Sequence, residues 1–194
     1  MKKILYIFLL FILTESNTYS IEPDVFVQST VNRASEVLTK NISKKEKIER
    51  LKLIAKETVD IRGVGFYSLG SFRKNLDDKQ KNRYFELFEG YFLKSFSSRL
   101  AEYTNPKINV QERKKINENY TIVNSILIGT NERPEIKIDW RIYTKNPNNP
   151  LIRDLIIEGI SLARTQKEEF NSILNSNDGD IDALYEALEK FTKN

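Results

Sequence analysis

The sequence predicts an α+β fold, an antiparallel four-stranded sheet packed against several helices, and three observations carry that expectation. Apolar residues recur at helical spacing through the first half of the chain. Past Asn105-Pro106 the period changes to two, with turn residues between short runs. Helical spacing then returns after about residue 160. Helices, then a meander, then helices is the order expected when helices cover one face of a sheet.

Taken in order, Val27, Val31, Ala34, Val37 and Leu38 mark one side of a helix from Asp24 to Lys40, behind the capping pair Pro23-Asp24. A second helix starts at Ser43, where Ser43 and Glu46 form a capping box, and Ile48, Leu51, Ile54, Ala55 and Val59 mark its buried side. Gly63, Gly65 and Gly70 break the pattern and are expected to leave only short turns. The longest helix runs from Asp77 or Asp78 to about Tyr103. At about 100° per residue, its Phe85, Phe88, Phe92, Phe96 and Tyr103 share roughly a quarter of the circumference, with Tyr84, Leu87 and Tyr91 beside them. So wide an aromatic arc implies burial against more than one neighbour. Such a stripe is the usual mark of core packing, so by itself it only hints at a cavity.

Strands are expected over 107–111, 120–128, 135–143 and 151–159. In the third, Ile136, Ile138, Trp140 and Ile142 alternate with Lys137, Asp139, Arg141 and Tyr143, giving one apolar and one polar face. Helices over 161–174 and 180–191 complete the chain.

The first twenty residues carry an address. Lys2 and Lys3 precede an unbroken apolar run from Ile4 to Leu13, and Thr18-Tyr19-Ser20 offers a small-x-small cleavage site. The run is half the roughly twenty residues that span a bilayer, so residues 1–20 read as a cleaved signal peptide and residues 21–194 as a single domain. The expected location is the periplasm. Cleavage removes two lysines and Glu15, taking the net charge from +4 to +3. This mild basicity suits anionic lipid or an acidic partner, and equally a lysine-rich solvated surface; nucleic acid is not expected.

The chain has no cysteine and no histidine. Disulfides, thiolate or imidazole metal sites, lipidation of the mature chain and the serine-histidine and cysteine-histidine nucleophiles are therefore excluded. Gly63-Val64-Gly65 lacks the later glycine and the strand-to-helix setting of a dinucleotide loop. Asp139, Asp154 and Glu158 are the carboxylates placed near an apolar sheet, where a base is conceivable and a capping or ion-paired role is the commoner one. No cofactor and no catalytic residue is expected.

Two blocks carry a resemblance. The first runs from Ser68-Leu69-Gly70 through Lys74, Asp77, Asp78, Gln80, Arg83, Tyr84-Phe85, Phe88 and Tyr91 to Leu100-Ala101-Glu102-Tyr103. The second is Ile138-Asp139-Trp140-Arg141 followed by Asp154-Leu155-Ile156-Ile157-Glu158-Gly159-Ile160-Ser161-Leu162. In order and spacing they resemble the MlaC-type periplasmic phospholipid-binding proteins, also called toluene-tolerance proteins, over nearly all of the mature chain. Two positions depart from that pattern: Pro150 stands where the family usually has tryptophan, and Arg153 where tyrosine is common, so the turn before the last strand is expected to be remodelled.

The resemblance implies a carrier that shields acyl chains in an apolar pocket between sheet and helices, head group in water. It implies a shuttle between an outer-membrane lipoprotein complex and an inner-membrane ABC transporter complex with lipid-binding domains, maintaining outer-membrane lipid asymmetry. Mapped onto this chain, the lipid-binding residues are Leu69, Phe88, Phe92, Phe96, Ile138, Trp140, Ile156 and Ile160, with Phe96 and Ile160 on facing walls. Lys137 and Arg141 are weaker rim candidates. No arginine cluster marks a phosphate clamp, so the tails are expected to dominate affinity. Alternatives are a carrier of hopanoid or another polycyclic lipid, an isomerase-like enzyme using Asp139 or Asp154 as base, and an interaction module that holds no lipid.

Overall fold

The computed structural model describes residues 20–131 and 133–193; the expected signal peptide, apart from Ser20, lies outside the described residues. The protein is α+β, with six α-helices and one five-stranded antiparallel sheet among those residues. Helix α1 spans Pro23–Thr39, α2 Lys44–Thr58, α3 Ile61–Ser68 and α4 Asp78–Leu100, with a 3-10 turn over Phe72–Lys74. The sheet follows as β1 Ile108–Asn117, β2 Tyr120–Leu127, β3 Ile136–Tyr143, β4 Leu151–Ile157 and β5 Ile160–Ser161. Helices α5, Leu162–Asn175, and α6, Ile181–Lys193, close the chain.

The caps explain most boundaries. Asp77 and Gln80 exchange both bonds of a capping box, so α4 begins at Asp78. Ser43 accepts from the Glu46 amide at 3.1 Å and Ser161 from the Arg164 amide at 3.1 Å, fixing the starts of α2 and α5. At α1, Pro23 and Asp24 lie inside the first turn, and the N-cap is Glu22, with no side-chain cap.

Three elements differ from expectation. Residues 61–68 form a helix rather than short turns. Asp60 caps it by accepting from the Gly63 amide at 2.8 Å, and a Cβ on Gly63 would collide with that carboxylate. Strand β1 continues to Asn117, because it is held by its ladder with β2 while both of its faces beyond Val110 are exposed. The last expected strand is divided by a tight turn at Glu158 (φ 49°) and Gly159 (φ 82°), which returns the chain as the two-residue β5.

Between Arg141 and Ile142 of β3, strand β4 carries one extra residue, Arg153. This bulge lies at one of the two positions that depart from the family pattern. It shifts the alternation of β4, so that Ile152, Leu155 and Ile157 all face the helices. Arg153 itself donates from Nε to Asp60 at 2.6 Å and from Nη1 to the Tyr120 hydroxyl at 2.8 Å, tying the α3 cap to the sheet.

Tyr84, Phe88, Phe170, Leu174, Leu184, Tyr185 and Leu188 form the centre of the main core. Val37, Leu38, Leu51 and Ile54 form a second cluster between α1 and α2. The candidate site lies where these two clusters fail to merge.

Candidate functional site: a divided apolar cavity

The first cavity, of about 270 Å³, lies between the α1–α2 pair, the end of α4 and the inner face of the sheet. Helix α1 contributes Val31, Ala34 and Leu38, and α2 contributes Leu51, Ile54 and Ala55. Phe96 and Leu100 of α4 close one end. The opposite wall is Ile138 and Trp140 of β3 with Ile152, Leu155 and Ile157 of β4. The second cavity, about 210 Å³, lies between α4 and α5 and includes Phe88, Tyr91, Phe92, Ala163 and Gln166. Val59, Phe96, Arg99, Ile152, Leu155 and Leu162 line both, so the two adjoin along one shared wall.

Several polar side chains on the first wall are already engaged within the fold. Thr30 and Thr58 donate to the carbonyls of Phe26 and Ile54 in their own helices, at 2.9 and 2.8 Å. The Trp140 indole donates to Ser125 Oγ at 2.8 Å, and that hydroxyl donates to the Ile138 carbonyl at 3.1 Å. No buried side-chain polar atom among the described residues lacks a partner. Away from Arg99, which is exposed at the end of α4, a molecule in this cavity therefore meets mainly methyl and ring surface with no buried polar atom left unpartnered, which favours a hydrocarbon over a polar ligand.

The sequence-derived residues divide accordingly. Ile138 and Trp140 line the first cavity, Phe88 and Phe92 the second, and Phe96 both. Leu69 lines neither: it caps α3 within the main core and is fully buried. Ile156 pairs with Asp139 on the outer face of the sheet, because the bulge at Arg153 turns Leu155 and Ile157 inward instead. Ile160 stands 62% exposed beside the tight turn, not opposite Phe96. Lys137 and Arg141 are exposed and line neither cavity, although Arg141 lies 3.7 Å from Asp154 of the second cavity's wall. The α1 and α2 walls were not anticipated. Their apolar faces were legible, but the same pattern serves core and cavity alike.

Each carboxylate considered as a base has a structural partner. Asp154 accepts from Ser161 Oγ at 2.6 Å and from the Ala163 amide at 3.0 Å, holding the start of α5. Asp139 accepts from Asn124 at 2.7 Å on the outer face, and Glu158 accepts from the Lys137 amide at 2.5 Å.

With this geometry in view, comparison with known proteins is informative. The family model described as "MlaC protein" matches residues 28–190. The intermembrane phospholipid transport system binding protein MlaC of Haemophilus influenzae is 23% identical over 188 residues, spanning 93% of this chain and 86% of its own. The phospholipid-binding protein from Ralstonia solanacearum, solved in complex with a phospholipid, superposes with a TM-score of 0.75 at 16% identity, over 89% of this chain and 98% of its own. The likeness in fold, and a family match that spans most of the chain, agree: this chain belongs to the MlaC protein family.

Proposed function

We propose that the protein is a non-enzymatic phospholipid carrier of the periplasm, holding acyl chains in the divided cavity while the head group stays in water. The observation that carries this reading is the first cavity, about 270 Å³ walled mainly by aliphatic and aromatic side chains, with no buried side-chain polar atom among the described residues left unpartnered. Each methylene moved into it from water contributes about 0.8 kcal/mol, so long chains supply ample affinity without covalent chemistry. The family and the phospholipid held by the Ralstonia protein support the same ligand class.

In this reading residues 21–194 are the lipid-binding domain, and the outer-membrane lipoprotein complex and inner-membrane ABC transporter are its donor and acceptor, with lipid asymmetry the result. Of the sequence-derived residues, Phe88, Phe92, Phe96, Ile138 and Trp140 are the proposed lipid contacts, joined by Ala34, Leu38, Ile54 and Leu155.

The test is to purify the exported protein without detergent, determine its N-terminus and analyse its contents by native mass spectrometry and solvent extraction. The expected result is a chain beginning near Ile21 that carries stoichiometric phospholipid with mixed head groups on similar tails. Hopanoid in its place would move the carrier to polycyclic lipids. An empty protein that takes up no lipid from vesicles would overturn the reading.

A further inference from the structure

Four charged side chains among the described residues line the cavities: Arg99, Arg153, Asp154 and Glu169. Three are engaged. Arg153 is held by Asp60 and Tyr120, Asp154 by Ser161 and the Ala163 amide, and Glu169 accepts from Gln166 at 3.1 Å. Arg99 differs in both place and partners. It sits in the last turn of α4, is exposed, and lines both cavities. Its guanidinium makes no hydrogen bond, ion pair or ring contact with any described residue.

An amphiphile with two tails, one in each cavity, has its branch point over the wall that the cavities share. Arg99 stands on that wall. A guanidinium there, near Tyr91 but without a hydrogen bond or ion pair to any described residue, presents paired N–H donors that match the two non-bridging oxygens of a phosphodiester. We propose that Arg99 is the head-group selection residue of this carrier, pairing with the phosphodiester of a diacyl lipid whose chains divide between the two cavities. This rests on the phospholipid reading above and adds a discrimination to it. Head groups that share the phosphodiester are accepted alike, while phosphate-free lipids such as diacylglycerol or hopanoid lose the contact. Tails still carry most of the affinity. The arginine decides among molecules whose tails are equal.

The test is competition for the delipidated full-length mature protein between phosphatidylglycerol and diacylglycerol of identical chains, presented in neutral vesicles and read by native mass spectrometry. The wild type is expected to favour the phospholipid roughly tenfold at low salt, the size of one charge-assisted contact at a partly exposed site. The preference should shrink as salt rises. Arg99→Gln should bring the ratio near one, and Arg99→Lys should restore part of it, since it keeps the charge and loses the fork.

Equal ratios in wild type and Arg99→Gln would overturn the assignment while leaving the carrier intact. So would a lower melting temperature with an unchanged ratio, which would make Arg99 only a cation at a helix C-terminus. Displacement of lipid by glycerol 3-phosphate at matched concentration would show a site for free phosphate instead. A wild type that loads neither lipid would overturn this inference together with the carrier function.

Discussion

Tyr84 shows how one side chain fastens the closed side of this molecule. Its ring is fully buried, with its centroid 5.7 Å from that of Phe88 and 6.4 Å from that of Phe170, while its hydroxyl donates to the Gly65 carbonyl at 3.0 Å. Burial pushes its pKa above the ordinary value of 10.0. Burial also raises Tyr91 and Tyr185. The sign follows directly. Below pH 10 both states keep the proton and these groups leave stability unchanged. Above it the unfolded chain ionises more readily than the native state, so stability falls as pH rises. One unit above 10 costs about 1.4 kcal/mol for a tyrosine held fully protonated. We expect Tyr84→Phe to lower stability by about 1 kcal/mol at neutral pH, since the Gly65 carbonyl keeps the Leu69 amide at 3.3 Å as a second partner. It should also flatten, without abolishing, the loss above pH 10. Denaturant titrations from pH 7 to 11 on both proteins measure this, and parallel alkaline limbs would contradict it.

At the scale of elements, α3 is the piece on which two sides of the fold are hung. Its cap Asp60 binds Arg153 of the sheet, and its Gly65 lies so close to α4 that a Cβ there would fall 2.7 Å from Phe88 Cδ1. Gly65→Ala must therefore push α3 away from α4 or force Phe88 off its rotamer, and the expected cost is about 1–3 kcal/mol. Phe88 also lines the second cavity. The same variant should thus alter lipid loading as well as melting temperature, and a change in neither would mean that the two helices have slack. This element also shows where sequence reading ran out. Gly63 and Gly65 look like breakers, because intrinsic propensity counts a missing side chain as a loss. Only the tertiary partner shows that the missing side chain is what lets the helices meet. The other five helices and the four long strands were legible from period and caps. The far half of β1 was not, since an edge strand exposed on both faces has no alternation to read. The bulge at Arg153 was invisible for a related reason. One inserted residue reverses which of Leu155 and Ile156 faces inward, and nothing local marks it beyond the arginine itself.

For the whole molecule, the main point is that a solid half and a hollow half share the same helix. Aromatic α4 residues near its start pack into the core with α5 and α6, whereas Phe96 and Leu100 near its end are only half-buried and border the first cavity. The α1–α2 cluster stays separate from the main core because the first cavity intervenes. A charge at the hollow end should consequently harm loading more than folding. Phe96 is half-buried, stacks on Phe92 with ring centroids 5.5 Å apart, and borders both cavities. In Phe96→Asp the new carboxylate can keep water beside it through the open mouths, so it avoids the penalty of several kcal/mol that attends a fully buried charge. It should retain a cooperative transition, lowered by several degrees, and lose most extractable lipid. Ile160→Glu is the matched control. That residue is 62% exposed beside the β4–β5 turn and lines neither cavity, so melting temperature and lipid content should both stay at wild-type values. Measuring the two quantities on both variants separates the possibilities. Folded Phe96→Asp with full lipid content would remove the cavity from the binding site, and loss of its cooperative transition would place Phe96 in close-packed core. Lipid loss from Ile160→Glu would return Ile160 to a wall of the pocket facing Phe96, as the family resemblance implied.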